Sequence, residues 1–310
     1  MNHDHHTDSP ANKPLIYCGI AGWSYPDWNG YVYPTGTKDK LHYAAQLVDT
    51  IEINSTFYRP ATVDNSTSWL QRTSDIPDFF FTAKLHQDFT HRGILEESAV
   101  RTFSQGLAPL SDNGKLRHLL AQFPYNFANT PQAKELLKSI TTEFASITNL
   151  VLELRHNSWQ SPSALQFLQD LDVTVANLDY PTTRDSFNLH KCRVGKQAYL
   201  RLHGRNAQAW FDKGAGRDQT YNYLYSQEEL DQIVDRAVDL ASTSNSLTII
   251  ANNHYQGKEV ANALQLKARL TDSPVSVPPL LQQHYPHLRS ITPRTTDATA
   301  PGSASLPDAS

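Results

Sequence analysis

The sequence predicts a closed (β/α)8 barrel of the TIM type, and three observations carry that prediction. Eight short apolar runs alternate along the chain with helical segments, the order that gives a parallel sheet through right-handed crossovers. Several runs are continuous stretches of β-branched or aromatic residues, as expected of parallel strands covered on both faces. Several also turn polar at their C-terminal end, as strands do when their last residues ring one mouth.

The strands are expected near Ile16–Ile20, Thr50–Ile53, Phe79–Ala83, Arg117–Ala121, Leu150–Leu154, Val173–Asn177, Ala198–Leu202 and Leu247–Ala251. LHYAAQLV follows the first and NSTSWLQRT the second. PQAKELLKSITTEF lies between the fourth and fifth, and SPSALQFLQDL between the fifth and sixth. SQEELDQIVDRAVDLAS is the clearest helix. Ser226 and Glu229 have capping-box spacing, and Leu230, Ile233, Val234, Ala237 and Leu240 form one apolar face. KEVANALQLKARL closes the barrel. Tyr180–Gly195 has no helical period and is expected to be a loop over the mouth. No GxGxxG or P-loop motif is present, so a Rossmann or phosphate-loop nucleotide site has no sequence support.

The chain has 310 residues, 39% hydrophobic and 19% charged, enough for one large domain. Net charge is −4, so a bulk basic field for nucleic acid is absent, although a local basic groove is not excluded. No apolar run reaches transmembrane length, and Met1–Pro14 is too polar for a signal peptide. Cys18 and Cys192 fit no CxxC spacing, which favours a reduced, cytoplasmic protein. Residues 1–14, with His3, His5 and His6, and residues 290–310, rich in Pro, Ser, Thr and Ala, read as disordered tails around a barrel over 15–289.

The motifs IYCGIAGWSYPDWNGYVYP, DTIEINSTFYRPATVDNSTSW, FTAKLHQDFTH, LLAQFPYNF, LVLELRHNSW, YLRLHGRN and IIANNHYQGKEVANAL resemble, in that order, the domain of unknown function 72 family, the YecE-like proteins. The resemblance spans about Ile16 to Leu270. It implies a TIM-type barrel and names no activity. Ile20-Ala21 stands where the family often has a hydroxyl pair, and Ala251 stands where it tends to have Phe before Asn252-Asn253.

Residues two apart on a strand share a face, so polar pairs at strand ends line one mouth. These pairs are Glu52 with Asn54, Lys84 with His86, Glu153 with Arg155, and Arg201 with His203. Arg155, Arg201 and His203 form the strongest set and suggest an anion such as phosphate or carboxylate. The competing reading is a charge-balanced core with Glu52, Glu153 and Asp179. Glu52 is the general-base candidate and His203 its acid counterpart. Trp23, Asn54, Lys84, Gln122, Glu153, Arg155, Asp179, Arg201 and Asn253 are the expected ligand-binding residues. Lys84 reads as an anion-binding or ion-pairing lysine more readily than as a Schiff-base nucleophile. The aromatics Trp23, Tyr25 and Trp28 either stack a ligand or plug the first loop. Arg201→Ala is expected to cost about 1–2 kcal/mol if water reaches the mouth.

Glu52, Glu153, Asp179, His86 and His203 have donor types suited to a divalent ion. The folded part has no HxH or HExxH spacing, however, and Lys84, Arg155 and Arg201 would compete with a cation. No cofactor is expected, and a divalent metal is the alternative. The expected function is an enzyme (hydrolase, lyase or isomerase) or an enzyme-derived binding protein, acting on a small anionic or polyhydroxylated ligand. The alternatives are an endonuclease-like barrel acting on nucleic acid and a non-catalytic scaffold barrel. Nothing in the sequence sets the oligomeric state.

Overall fold

The computed structural model describes residues 15–188, 193–212 and 214–293. Nine parallel strand segments form one sheet: β1 (Leu15–Ile20), β2 (Thr50–Ile53), β3 (Phe80–Lys84), β4 (Leu116–Gln122), β5 (Asn149–Glu153), β6 (Thr174–Val175), β7 (Asn177–Asp179), β8 (Ala198–Leu202) and β9 (Ser246–Ala251). The sheet order is β6-β5-β4-β3-β2-β1-β9-β8-β7. Its two edge segments are separated in the chain by Ala176 alone, so β6 and β7 are halves of the expected sixth strand. The first half pairs with β5 and the second with β8, which closes the barrel.

The period-two rule then sorts every strand. Outward side chains such as Ile51, Phe81, Leu119, Leu152, Leu200 and Ile249 pack under the helices. Inward ones such as Leu120, Val151, Ala176, Tyr199 and Ile250 fill the axis. At the N-terminal end of the axis His118 meets Thr248 at 3.0 Å and Asn149 at 2.9 Å. The axis between the two ends is therefore packed; a shallow pocket lies at the N-terminal end around His118, Asn149 and Thr248, and a larger one opens at the C-terminal mouth.

Helices cover the outside. Pro131–Phe144, Pro162–Asp170, Gln227–Ser242 and Lys258–Thr271 fall where the apolar periodicity places them. Ser226 and Glu229 form the expected capping box. One long helix, Glu97–Asp112, has no counterpart in the sequence reading, because Gly106 and Pro109 interrupt its pattern. Gly106 is there for contact: a Cβ would lie 1.9 Å from the Ala61 carbonyl oxygen of the preceding layer. Pro109 is tolerated within the helix.

The Tyr180–Gly195 connection has no helix or strand in its described part, and residues 189–192 lie outside the described residues. It runs beside the exit of β5, where Phe187 N–H donates to Arg155 O at 2.8 Å. Its described part is thus tied to the segment that leaves β5, and none of its described residues lines the cavity at the mouth. The His-rich segment, Cys192 and residues 294–310 also lie outside the described residues.

Candidate functional site

Seven inward side chains at the strand ends make a buried polar layer. These are Glu52 from β2, Lys84 from β3, Gln122 from β4, Glu153 from β5, Arg201 and His203 at the end of β8, and Asn252 after β9. Arg201 is the hub and is fully buried. Its Nη2 donates to Glu52 Oε1 at 2.5 Å and its Nη1 donates to Glu153 Oε2. The other oxygens of both carboxylates are also occupied. Tyr199 Oη donates to Glu52 Oε2 at 3.1 Å, and Arg155 donates twice to Glu153 Oε1, at 2.9 and 2.6 Å. Burial pushes the Glu153 carboxyl up, but Arg201 and Arg155 overcome it and hold the group well below the usual carboxylate range. Burial likewise opposes the charge of Arg201, and Glu153 with Glu52 more than restores it. This is a charge-paired core, the competing reading of the sequence, and isolated buried charges would not survive in it.

The open space lies directly above this layer. A cavity of about 470 Å³ is lined by Trp23, Ser24, Tyr25, Asn54, Phe57, Tyr58, Lys84, His91, Gln122, Arg217, Tyr221, Asn252 and His254, among others. Gly22, at φ +102°, turns the chain from β1 into the aromatic loop that carries Trp23 and Tyr25 over the mouth. Trp28 instead is a plug, fully buried and donating to His254 O at 2.8 Å. The loop therefore plugs the barrel with Trp28 and lines the cavity with Trp23 and Tyr25. A broader surface groove of about 720 Å³ along Asn129–Lys138 sits away from the barrel mouth and contains none of the buried charges.

Lys84 differs from the other two cations. Its Nζ donates to the neutral Gln122 Oε1 at 2.9 Å and lies 4.7 Å from the Phe57 ring centre. Among the described residues no carboxylate pairs with it within 4 Å. Burial, reinforced by Arg201, pulls its ammonium down to about 8. His203 is pulled down to about 4 by burial, so at pH 7 it is neutral. The polar layer and the flanking Arg155 together hold three cations, Lys84, Arg155 and Arg201, against two carboxylates, Glu52 and Glu153. The surplus charge lies at Lys84, on the cavity wall.

The expected site residues divide into three groups. Trp23, Asn54, Lys84 and Gln122 line the cavity. Asn54 is partly committed, donating to Ala21 O at 3.0 Å. Glu52, Glu153, Arg201 and His203 lie beneath it with no exposed surface. Glu52 has both oxygens occupied. His203 faces Glu153 at 3.5 Å and Asn252 at 3.0 Å, so this geometry gives neither an open path for acid–base work. Arg155 flanks the layer, with its guanidinium 5.7 Å from the Trp210 ring.

Asp179 and Asn253 form the third group and face away from the mouth. Asp179 is clamped by Arg205 at 2.8 and 2.9 Å and by Tyr225 Oη at 2.8 Å. The inward positions of that strand are Ala176, Leu178 and Tyr180, which fixes Asp179 as outward by alternation. Asn253 donates to Tyr223 O at 2.7 Å and Asn262 Oδ1 at 2.8 Å. Its neighbour Asn252 takes the inward place by the same parity.

Sequence reasoning missed Tyr221, Arg217 and His254. Tyr25 stacks on the His254 ring at 4.5 Å, and Tyr221 approaches the same ring at 5.2 Å. The only available signal was the His directly after Asn252-Asn253. Arg217 opens a four-residue helix, Arg217–Thr220, and Tyr221 follows it; so short a turn leaves no periodic pattern. Glu259 was also missed. It is buried at the start of the last long helix and accepts from Ala21 N–H at 3.4 Å. Burial pushes its carboxyl well above the usual range.

The motif order, the barrel and the polar mouth can now be set against known proteins. The profile described as "Protein of unknown function DUF72" matches residues 17–286. The chain belongs to the DUF72 family. A crystal structure of a DUF72 family protein from Thermotoga maritima is 29% identical, with a TM-score of 0.74, covering 83% of this chain and 99% of that one. One from Enterococcus faecalis is 24% identical, with a TM-score of 0.72, covering 83% and 96%. No curated protein matches the chain. Among the described residues no group of three or more His, Cys, Asp or Glu is arranged to hold a metal ion. The carboxylates that might have served, Glu52 and Glu153, are saturated by guanidinium and phenol donors. No helix among the described residues is long and apolar enough to cross a membrane.

Proposed function

We infer that this DUF72 barrel binds a small anionic, hydroxyl-bearing ligand in the cavity above the polar layer, as an enzyme of small-molecule metabolism. One observation carries the reading: Lys84 presents a buried positive charge to that cavity with only a neutral amide as hydrogen-bond partner. A desolvated, unmatched cation attracts a carboxylate or phosphate far more strongly than one in water. The walls supply the rest. Trp23, Tyr25, Tyr58 and Tyr221 offer flat apolar faces, and Asn54, Gln122 and Asn252 offer amides for hydroxyl groups. Arg201 holds the shape of the floor through Glu52 and Glu153 and does not touch the ligand.

A second reading, a binding barrel without catalysis, is favoured by the burial of Glu52 and His203 away from the cavity. No observation favours nucleic acid as the ligand. A reduced, cytoplasmic setting suits the free, buried thiol of Cys18. Titration calorimetry with inorganic phosphate and with pyruvate tests the reading. Wild type should bind at least one, and Lys84→Met, folded by circular dichroism, should bind it tenfold more weakly or not at all. Equal affinity in the two proteins would remove the basis for the reading.

A further inference from the structure

We propose that Lys84 is a nucleophile that forms an imine with a carbonyl compound carrying a carboxylate beside the carbonyl, an α-oxo acid. The inference rests on the anion-binding reading of the same cavity and goes further by naming the reaction and the ligand class.

Three features of the geometry point to this chemistry. First, Nζ lies in the cavity wall at the end of β3, with no carboxylate to hold it as a paired ammonium. Its one hydrogen-bond acceptor, Gln122 Oε1, also lies 3.4 Å from Arg201 Nη1, so that amide keeps a partner when Nζ turns to a ligand. Second, the two carboxylates that could have fixed Lys84 are themselves held by Arg201, Arg155 and Tyr199. The core thus spends two guanidinium groups on leaving the lysine free. Third, the Lys84 side chain is almost wholly buried, and loss of water favours the neutral amine, although the face of the Phe57 ring at 4.7 Å favours the ammonium. The pull of its ammonium down to about 8 by burial agrees with these features, because about a tenth of it is free amine at pH 7.

The surplus positive charge and the reacting atom are the same group. An anion attracted by Lys84 therefore brings the carbon next to the carboxylate into reach of Nζ, which is why the α-oxo acid is favoured over a compound with remote charge. As the Nζ–C bond forms, the C=O π pair moves to oxygen, and that oxygen takes up two protons in turn, both supplied by the original ammonium. His91, on the rim of the cavity, can relay them. The hydroxyl leaves as water and the nitrogen lone pair closes the C=N bond. Ammonium and carbonyl thus give iminium and water, with no change in net charge and no need for an oxidant or reductant. The positive charge persists, so the pairing of Arg201 with Glu52 and Glu153 is undisturbed.

The test uses full-length protein, glyoxylate as the probe and sodium cyanoborohydride to reduce any imine, at pH 7, with peptide mapping by mass spectrometry. Lys138 and Lys196, with side chains 53% and 73% exposed, are internal controls. From the free-amine fractions Lys84 should be carboxymethylated on the order of 100-fold faster than either, and inorganic phosphate should slow it. Modification of Lys84 no faster than Lys196 would overturn the proposal. Phosphate calorimetry on the same protein separates the two claims. Phosphate binding without a Lys84 adduct leaves the anion site standing and ends the imine proposal, and absence of both ends both.

Discussion

Replacing Arg201 by Ala removes the hub of the polar layer. Two carboxylates, Glu52 and Glu153, lose a donor at once in a place with no exposed surface. Water does not reach this guanidinium, so the modest cost expected from sequence does not apply. Tyr199 still supports Glu52, and Arg155 still supports Glu153, so each carboxylate keeps one donor but Glu52 keeps no cation. Breaking a buried pair of this kind costs about 3–5 kcal/mol, which lowers Tm by on the order of 10 °C for a domain of this size. The pH dependence identifies the cause. Glu153 has a depressed folded pKa, so its contribution is present above the unfolded value and is lost as pH falls through the folded value. In the variant, burial without Arg201 lets Glu153 protonate at higher pH, and the penalty should shrink from pH 7 to pH 4. Urea unfolding of both proteins at the two pH values measures this. A loss below about 1 kcal/mol at pH 7, or one independent of pH, would refute the buried-pair account.

Three further outcomes follow from the same geometry. Lys84 has a folded pKa below its unfolded value, so its charge weakens the fold below pH 8 and the penalty is relieved as pH rises toward 10.5. Wild type should gain up to about 2–3 kcal/mol over that window, and Lys84→Met should lack the gain; parallel unfolding curves would show that the lysine is not desolvated. Glu259 has a raised folded pKa, so its ionisation weakens the fold as pH rises above the ordinary carboxylate range. Glu259→Gln should therefore be neutral at pH 4 and stabilising by about 1 kcal/mol at pH 8 in thermal melts, and destabilisation at pH 8 would contradict this. Gly106→Ala places a Cβ 1.9 Å from the Ala61 carbonyl oxygen and should cost about 1–3 kcal/mol in urea unfolding; a neutral result would mean that this helix contact relaxes freely.

The barrel was legible because parallel strands buried on both faces leave an unmistakable apolar run, and because strand ends that turn polar mark the mouth. Alternation alone places Glu52, Lys84, Glu153 and Arg201 on one layer. It also contained the answer for Asp179 and Asn253, since counting from Ala176 and from Ile250 puts both outward. Which charges would pair and which would face a ligand was not legible. That depends on register across non-adjacent strands, as in the reach of Arg201 on β8 to Glu52 on β2. The helix Glu97–Asp112 was hidden by Gly106 and Pro109, and Arg217 and Tyr221 by a helix of only four residues, too short to leave a period.

The most direct test of the account is a crystal structure of the wild-type protein soaked with pyruvate. The account predicts pyruvate in the cavity beneath Tyr25 and Tyr221, in contact with Lys84 Nζ, with Arg201 still bound to Glu52 and Glu153. Pyruvate held by Arg201 in place of Glu52, or a cavity empty at saturating pyruvate, would contradict it.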